Sequence, residues 1–576
     1  MKENTSKLTP TQRFWRLLKP DRKEIRNVYL YSIFNGLVSL SLPLGIQAIV
    51  NFIQGGQMST SWVVLVFLVV LGVAISGVLQ IYQLRITENL QQKIFARAAF
   101  EFAYRMPRTK MESLYKHYAP ELMNRFFDII SVQKGLSKIL IDFSVALLNV
   151  VFGLLLLSLY HSFFILFSVI LVLMVVVIIR FTGQKGMTTS LKESKYKYKV
   201  AYWLEELART NTTFKLVGNT DLPLERVDTD VNNYLQARES HFKILVQQYS
   251  LMVVFKVLVA TGLLAIGGVL VMEQQMNIGQ FIAAEIIILT VMVAVEKLIR
   301  SLETIYDVLT SLEKIAQVTD MELEETEGVD FTKETNGGGL SLDLDHVTFS
   351  YPDQRNPVLK DVSFSVAPGE RVVISGNNNS GKRTLLYVIA GLYEVQKGTI
   401  AYQGLPLGNV NISSLRSVFG DYLSQEELFE GTVMENITMG RSNVTFDEVK
   451  WAIKSLHLEE FVKSLSKGYD TELDAQGNKL PGSIAQKLLL ARSIVGKPRL
   501  LILEDLYMHL DEVDYRRVID FLIDKSHPWT LVAISSEYYF ASKSDKVIVM
   551  NDGQVSKSGS YSELKSFLNL KNNGHA

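Results

Sequence analysis

The chain has 576 residues, of which 48% are hydrophobic, with 59 Lys plus Arg against 59 Asp plus Glu and no cysteine. That length implies several domains, and so apolar a composition is high for a wholly soluble protein, so a membrane part is expected. Balanced charge gives no net field to attract nucleic acid, and the absence of cysteine excludes disulfides and thiolate metal sites.

Residues 1–26 carry eight Lys or Arg and no apolar core, so no cleavable secretory signal is predicted. Within them Thr11–Leu18 sets Phe14, Trp15, Leu17 and Leu18 beside Arg13 and Arg16. That mixture suits a short helix in the headgroup region, or a plain juxtamembrane tail. Six apolar stretches long enough to cross a bilayer follow, at about 27–51, 61–84, 138–160, 162–180, 249–272 and 279–300. A tight turn near His161 joins the third to the fourth.

The connections after the first, third and fifth stretches contain no Lys or Arg, whereas the N-terminus and the long connections 85–137 and 181–248 are rich in them. By the positive-inside rule both termini are expected in the cytoplasm. Gln83–Tyr104 and Leu191–Leu207 are charged, free of proline and helically periodic, which predicts that the spanning helices run on beyond the bilayer. Pro107–Tyr118 and Thr210–Pro223 break that pattern and read as docking elbows. Inside the spans Asn149, Lys256, Glu285, Glu296 and Lys297 are expensive in hydrocarbon. Asn149 and Glu285 are the candidates for a polar path; Lys256, Glu296 and Lys297 lie near helix ends, where snorkelling or pairing is expected.

Composition changes after Thr319. An acidic stretch and Gly337-Gly338-Gly339 form an expected linker over 320–339, and from Leu340 the chain alternates as a strand. Strands are predicted near 340–350, 361–366, 371–375, 499–503, 530–534 and 546–550, with helices between. This pattern implies an α/β domain over 340–576 with a largely parallel central sheet, behind an all-α membrane domain over 1–319.

The third of those strands runs into Gly376-Asn377-Asn378-Asn379-Ser380-Gly381-Lys382-Arg383-Thr384, with an apolar helical segment beyond. A strand, a glycine-flanked loop ending in Gly-Lys and a helix make a phosphate cradle, because backbone N–H groups and the helix N-terminus point at an anion. Lys382 supplies a mobile positive charge for the outer phosphates. The motif needs a hydroxyl directly after the lysine to hold Mg²⁺, and here Arg383 stands there, with Thr384 one place later.

Six spans with long helical extensions, followed by a P-loop domain, resemble a half-transporter of the ATP-binding cassette (ABC) exporter family, and the membrane part resembles the peptide- and protein-exporting branch. The resemblance implies an α-helical exporter membrane domain with a P-loop NTPase-like cassette, a second ABC half-transporter chain as partner, ATP as ligand and a bacterial inner membrane as address. It assigns Tyr351 to adenine stacking and Gly376, Ser380, Gly381 and Lys382 to phosphate, with Asn379 where glycine is usual; asparagine tolerates left-handed backbone angles. The metal-contacting glutamine falls on Ser424, with Gln425 next door. Glu504 falls at the metal-facing carboxylate, and Asp505 at the general base, one methylene shorter than usual. A shortfall of ~1 Å there costs about a hundredfold. The γ-phosphate-gripping pentapeptide Leu-Ser-Gly-Gly-Gln reads Leu480-Pro481-Gly482-Ser483-Ile484, and Pro481 has neither hydroxyl nor N–H. The switch histidine is Ser536, the nearest alternative being His527.

Positions that carry the fold are kept while Arg383, Ser424, Pro481, Ile484, the Glu504-Asp505 exchange and Ser536 remove parts of the hydrolytic apparatus. The cassette therefore reads as degenerate: ATP binding without assured Mg²⁺, and slow or absent hydrolysis. Three functions fit this: the impaired half of an exporter, a non-transporting pseudo-ATPase scaffold of an export or assembly machine, and an active homodimeric exporter with unorthodox residues. A peptide or protein cargo is the family-level expectation; a lipid or small amphiphile stays open.

Overall fold

A computed structural model describes residues 8–55, 60–333, 338–423, 427–506 and 510–567. The chain forms two compact units, one of residues 1–108 and 117–321, the other of 109–116 and 322–576.

In the first unit six helical stretches among the described residues are long and apolar enough to cross a membrane: Pro10–Gln54, Thr60–Arg108, Ala119–Ser158, Ser162–Arg209, Leu222–Met272 and Ile278–Thr319. The first is interrupted at Leu40, just ahead of Pro43. At 1.5 Å per residue the 51-residue helix Leu222–Met272 is about 75 Å long, more than twice a hydrocarbon core. The helices thus continue past their apolar windows, as the charged periodic connections predict. His161 caps the fourth, its Nδ1 accepting from the Phe163 amide at 3.2 Å. Near the N-terminus Pro10–Leu18 is helical, closed by a capping box between Thr9 and Gln12.

The unit is held together around the last helix, whose Ala284, Ile287, Ile288, Val291 and Ala294 are buried against Ala146, Val150 and Leu154 of the third and Met252, Phe255 and Val259 of the fifth. Lys256 and Glu296 pair with each other, and Arg300 reaches Glu296 at 3.3 Å. The Asn149 side-chain oxygen is buried without a hydrogen-bond partner.

The second unit is built on β1 Leu342–Phe349, β2 Leu359–Val366, β3 Arg371–Gly376, β4 Lys397–Tyr402, β5 Leu405–Pro406, β6 Phe419–Tyr422, β7 Gly431–Thr432, β8 Glu472–Leu473, β9 Leu500–Glu504, β10 Thr530–Ile534, β11 Lys546–Asn551 and β12 Gln554–Gly559. The main sheet has the order β12-β11-β3-β10-β9-β6 and is parallel except for β12. A separate antiparallel sheet, β2-β1-β4-β5, was not expected; β4, β5, β6 and β12 carry too few apolar residues to stand out from loops.

Alternation along the central strands sorts their side chains into two cores. Val373, Leu501, Leu503, Leu531 and Ala533 face helices such as Gly482–Ile494 and Glu512–Ile523. Val372, Ile374, Leu500, Ile502 and Val532 pack with the helix Lys382–Ile389 and the antiparallel sheet. Much of the acidic stretch is anchored here: Glu324 pairs with Arg416 at 2.7 Å, and Phe331 is fully buried. The elbow segment 109–116 belongs to this unit too, through Met111 against its core and Lys110–Glu394 at 2.8 Å.

Candidate functional site

The buried strand β3 delivers the chain into the loop 376–381 under tight constraint. Gly376 has φ +147° and a Cβ there would strike the Met550 carbonyl, so only glycine fits. Asn379 takes the left-handed conformation at φ +62°, the setting where asparagine replaces glycine at least cost. Gly381, at φ +92°, opens the helix Lys382–Ile389. Asn377, Asn378 and Asn379 are exposed while Ser380 is buried.

Lys382 is folded onto this loop. Its Nζ donates to the carbonyls of Gly376 at 2.7 Å and Asn377 at 2.6 Å, and to Ser380 Oγ at 3.3 Å. Burial pushes its ammonium below the usual lysine range, opposed by the Asp505 carboxylate. These acceptors stand in for phosphate oxygens, which would compete for the same donors.

Arg383 donates through Nε to Glu504 Oε1, and this pairing raises the guanidinium above its ordinary value. Glu504 ends β9 with its side chain 5% exposed, against 61% for Arg383. Asp505, next along, has φ +22° and donates its amide to the Ile534 carbonyl at 3.2 Å. Thr384 does not replace the missing hydroxyl, since it is buried with Oγ1 3.1 Å from the Tyr351 hydroxyl. The Mg²⁺ that the family resemblance implies does not fit these residues. A tethered cation already sits on the carboxylate that would face the ion, where the ion-binding hydroxyl should be. Ser424 and Gln425 lie outside the described residues.

Tyr351 is packed edge-on against Phe349 and Tyr393, with centroids 5.1 and 5.4 Å away. One face is stacked by Tyr115 at 5.3 Å and 16° between planes. Tyr115 and Tyr393 escape sequence reading at this site. The only signal for Tyr115 is its place in the elbow Pro107–Tyr118, and Tyr393 lies in an ordinary helix-to-strand connection. Ser536 lines a cavity of about 210 Å³ together with Ser375, Gly376 and Asn377, so the switch position and the loop do converge. His527 does not join them; it is stacked on Trp529 at 4.3 Å.

Pro481 caps the helix Gly482–Ile494 without any side-chain hydrogen bond. Its carbonyl accepts from the amides of Ile484 at 2.9 Å and Ala485 at 3.0 Å. Leu480 and Ile484 pack against the hydrophobic core, Gly482 is exposed and Ser483 half-buried. The stretch thus begins a helix competently but offers no Pro481 hydroxyl or N–H to an anion.

Comparison with known proteins gives two family matches, "ABC transporter transmembrane region" over residues 26–295 and "ABC transporter" over residues 359–506. The ABC transporter ATP-binding protein YfiB of Bacillus subtilis (strain 168) is 35% identical over 248 residues, 42% of this chain and 43% of that protein. A protein of Staphylococcus aureus (strain Mu50), named for multidrug export as an ATP-binding/permease protein, is 34% identical over 224 residues, 39% of each chain. The chain thus spans less than half the length of these curated relatives in the matched segments. Among solved structures, a bacterial Atm1-family ABC exporter with ATP bound superposes with a TM-score of 0.79, covering 95% of this chain and 96% of that one at 19% identity; this likeness shows the fold.

Proposed function

The chain is a half-transporter of the ABC exporter type, with the family's transmembrane region followed by its cassette, and from that premise we propose that it is the catalytically impaired half of an exporter whose partner chain supplies the working ATP site. The observation that carries this reading is Arg383 seated on Glu504. Hydrolysis in a cassette needs a cation beside the outer phosphates and a base within reach of the attacking water. Here the cation position is filled by a side chain, and the base position carries the shorter Asp505. The switch position carries a serine, which cannot act as a proton-accepting imidazole. The nucleotide-binding part of the apparatus is more complete, with a glycine-flanked loop, Lys382 and Tyr351 in place, so the reading retains ATP binding.

On this reading the cargo is an amphiphile, a peptide or protein among the candidates, and the chain lies in a bacterial inner membrane with both termini in the cytoplasm. The basic connections 85–137 and 181–248 support that orientation. The packing of Ile484 against the core, next to Pro481, favours a second reading. The signature this chain lends to a partner is also damaged, as expected of a pseudo-ATPase scaffold in a larger export or assembly machine. In that case Lys382→Ala leaves the cellular phenotype unchanged.

Phosphate release from ATP and Mg²⁺ by the purified full-length protein tests the main reading. The expected rate is no higher than that of Lys382→Ala. Turnover that Lys382→Ala and Asp505→Asn both abolish would establish an active exporter instead.

A further inference from the structure

We infer that this cassette binds a nucleoside polyphosphate without a divalent cation, Arg383 serving as a built-in counter-charge in place of the ion. Arg383 immediately follows Lys382 at the first turn of the helix Lys382–Ile389, so both cations lie where phosphate oxygens meet the helix N-terminus. The guanidinium pairs with Glu504, a carboxylate whose side chain is 5% exposed. Arg383 itself stays 61% exposed, within reach of an entering ligand. Arginine is suited to the exchange, because its planar fork pairs equally well with carboxylate and phosphate. A divalent ion entering here would have to displace a cation held at high effective concentration by its own backbone. Thr384 supplies no alternative ligand, being engaged with Tyr351. Arg383 faces Glu504 and Lys382 lies near Asp505, so the outer phosphates would compete with Glu504 for Arg383.

The inference rests on the impaired-cassette reading, and the two fail separately. Phosphate release by the wild type defeats that reading, whereas a Mg²⁺ requirement for binding in a protein that releases no phosphate defeats only this one. Equilibrium binding of radiolabelled ATP to the purified full-length protein, in EDTA and in excess Mg²⁺, is the test. The wild-type dissociation constants are expected to agree within about twofold. Arg383→Thr, which restores the hydroxyl, should weaken binding in EDTA about tenfold and recover it with Mg²⁺, while Arg383→Lys keeps binding in EDTA. Glu504→Gln is an independent check should Arg383→Thr fail to fold. By releasing Arg383 from its carboxylate it should tighten ATP binding in EDTA about threefold. Wild-type binding that is tenfold tighter with Mg²⁺, binding in neither condition, or affinity in EDTA indifferent to both Arg383→Thr and Glu504→Gln overturns the inference.

Discussion

His527 stacks on Trp529 with ring centroids 4.3 Å apart and lies 4.5 Å from Phe521, half-buried in an aromatic cluster. Burial pushes its pKa below the ordinary 6.5. The unfolded chain therefore binds the proton more readily, and stability falls as pH drops from about 6.5 towards the folded value. Exposed His346, raised by Asp361, works in the opposite sense but is common to wild type and variant. Between pH 7 and pH 5 the wild-type melting temperature should fall further than that of His527→Gln, measured on the same detergent-solubilised protein. A larger fall in the variant would show that His527 does not carry the effect. At this scale the sequence is informative about residue type and silent about partners. Arg383 is legible as the wrong residue after a P-loop lysine; its seat on Glu504, 121 positions later, is a product of β3 and β9 lying on either side of β10. Arg371 is similar. Nothing in its neighbourhood marks it, yet it is almost fully buried, its Nη2 donating to the Asp524 carbonyl at 2.8 Å and the His527 carbonyl at 3.2 Å.

The long helices are legible because apolar length and charge at their ends are local properties. Their packing is not, and glycines show the difference. A Cβ on Gly153 would come within 2.9 Å of Val291 Cγ2, so the third and last long helices approach through a residue that looks unremarkable in an apolar run. Gly153→Val should cost ~1–3 kcal/mol by overpacking. Val291→Ala should recover part of the loss in the double variant, because the two sites share one contact. Thermal unfolding of the three variants in detergent measures this, and additive losses would refute it. The cassette strands divide similarly. Those with continuous apolar runs, such as β3, β9 and β10, are readable, while short amphipathic strands depend on neighbours for burial. Lys256 and Glu296 are legible as costly side chains; that they choose each other follows from the juxtaposition of the fifth and last helices.

Across the whole chain, two matched regions in order and an exporter fold define the architecture, and within it the second unit recruits residues 109–116 from a segment more than 200 positions upstream of the rest. Lys116 pairs with Asp353 at 2.7 Å, and Glu112 accepts from the Glu394 amide at 2.9 Å. A break in helical periodicity identifies the elbow, but no local rule says that Tyr115 stacks on Tyr351. If this chain is an impaired half, its assembly must be asymmetric. Purification from the native host under mild detergent should recover a second ABC chain with an intact P-loop serine or threonine, in about equal amount, identified by mass spectrometry. Recovery of homodimers alone would count against the paired-exporter reading.

The sequence by itself determined that this is a six-span membrane chain with a P-loop α/β domain, since bilayer thickness, strand alternation and the geometry of a phosphate cradle each leave a local imprint. It also marked Arg383, Pro481 and Ser536 as departures from a hydrolytic cassette. Only the tertiary structure decided what the residues around these positions contact. Arg383 is held on Glu504, Ile484 packs half-buried against the core and Thr384 is committed to Tyr351. Each of these is a choice among partners distant in the chain, made when the sheet and the helices packed, and no window of sequence contains both members of the pair.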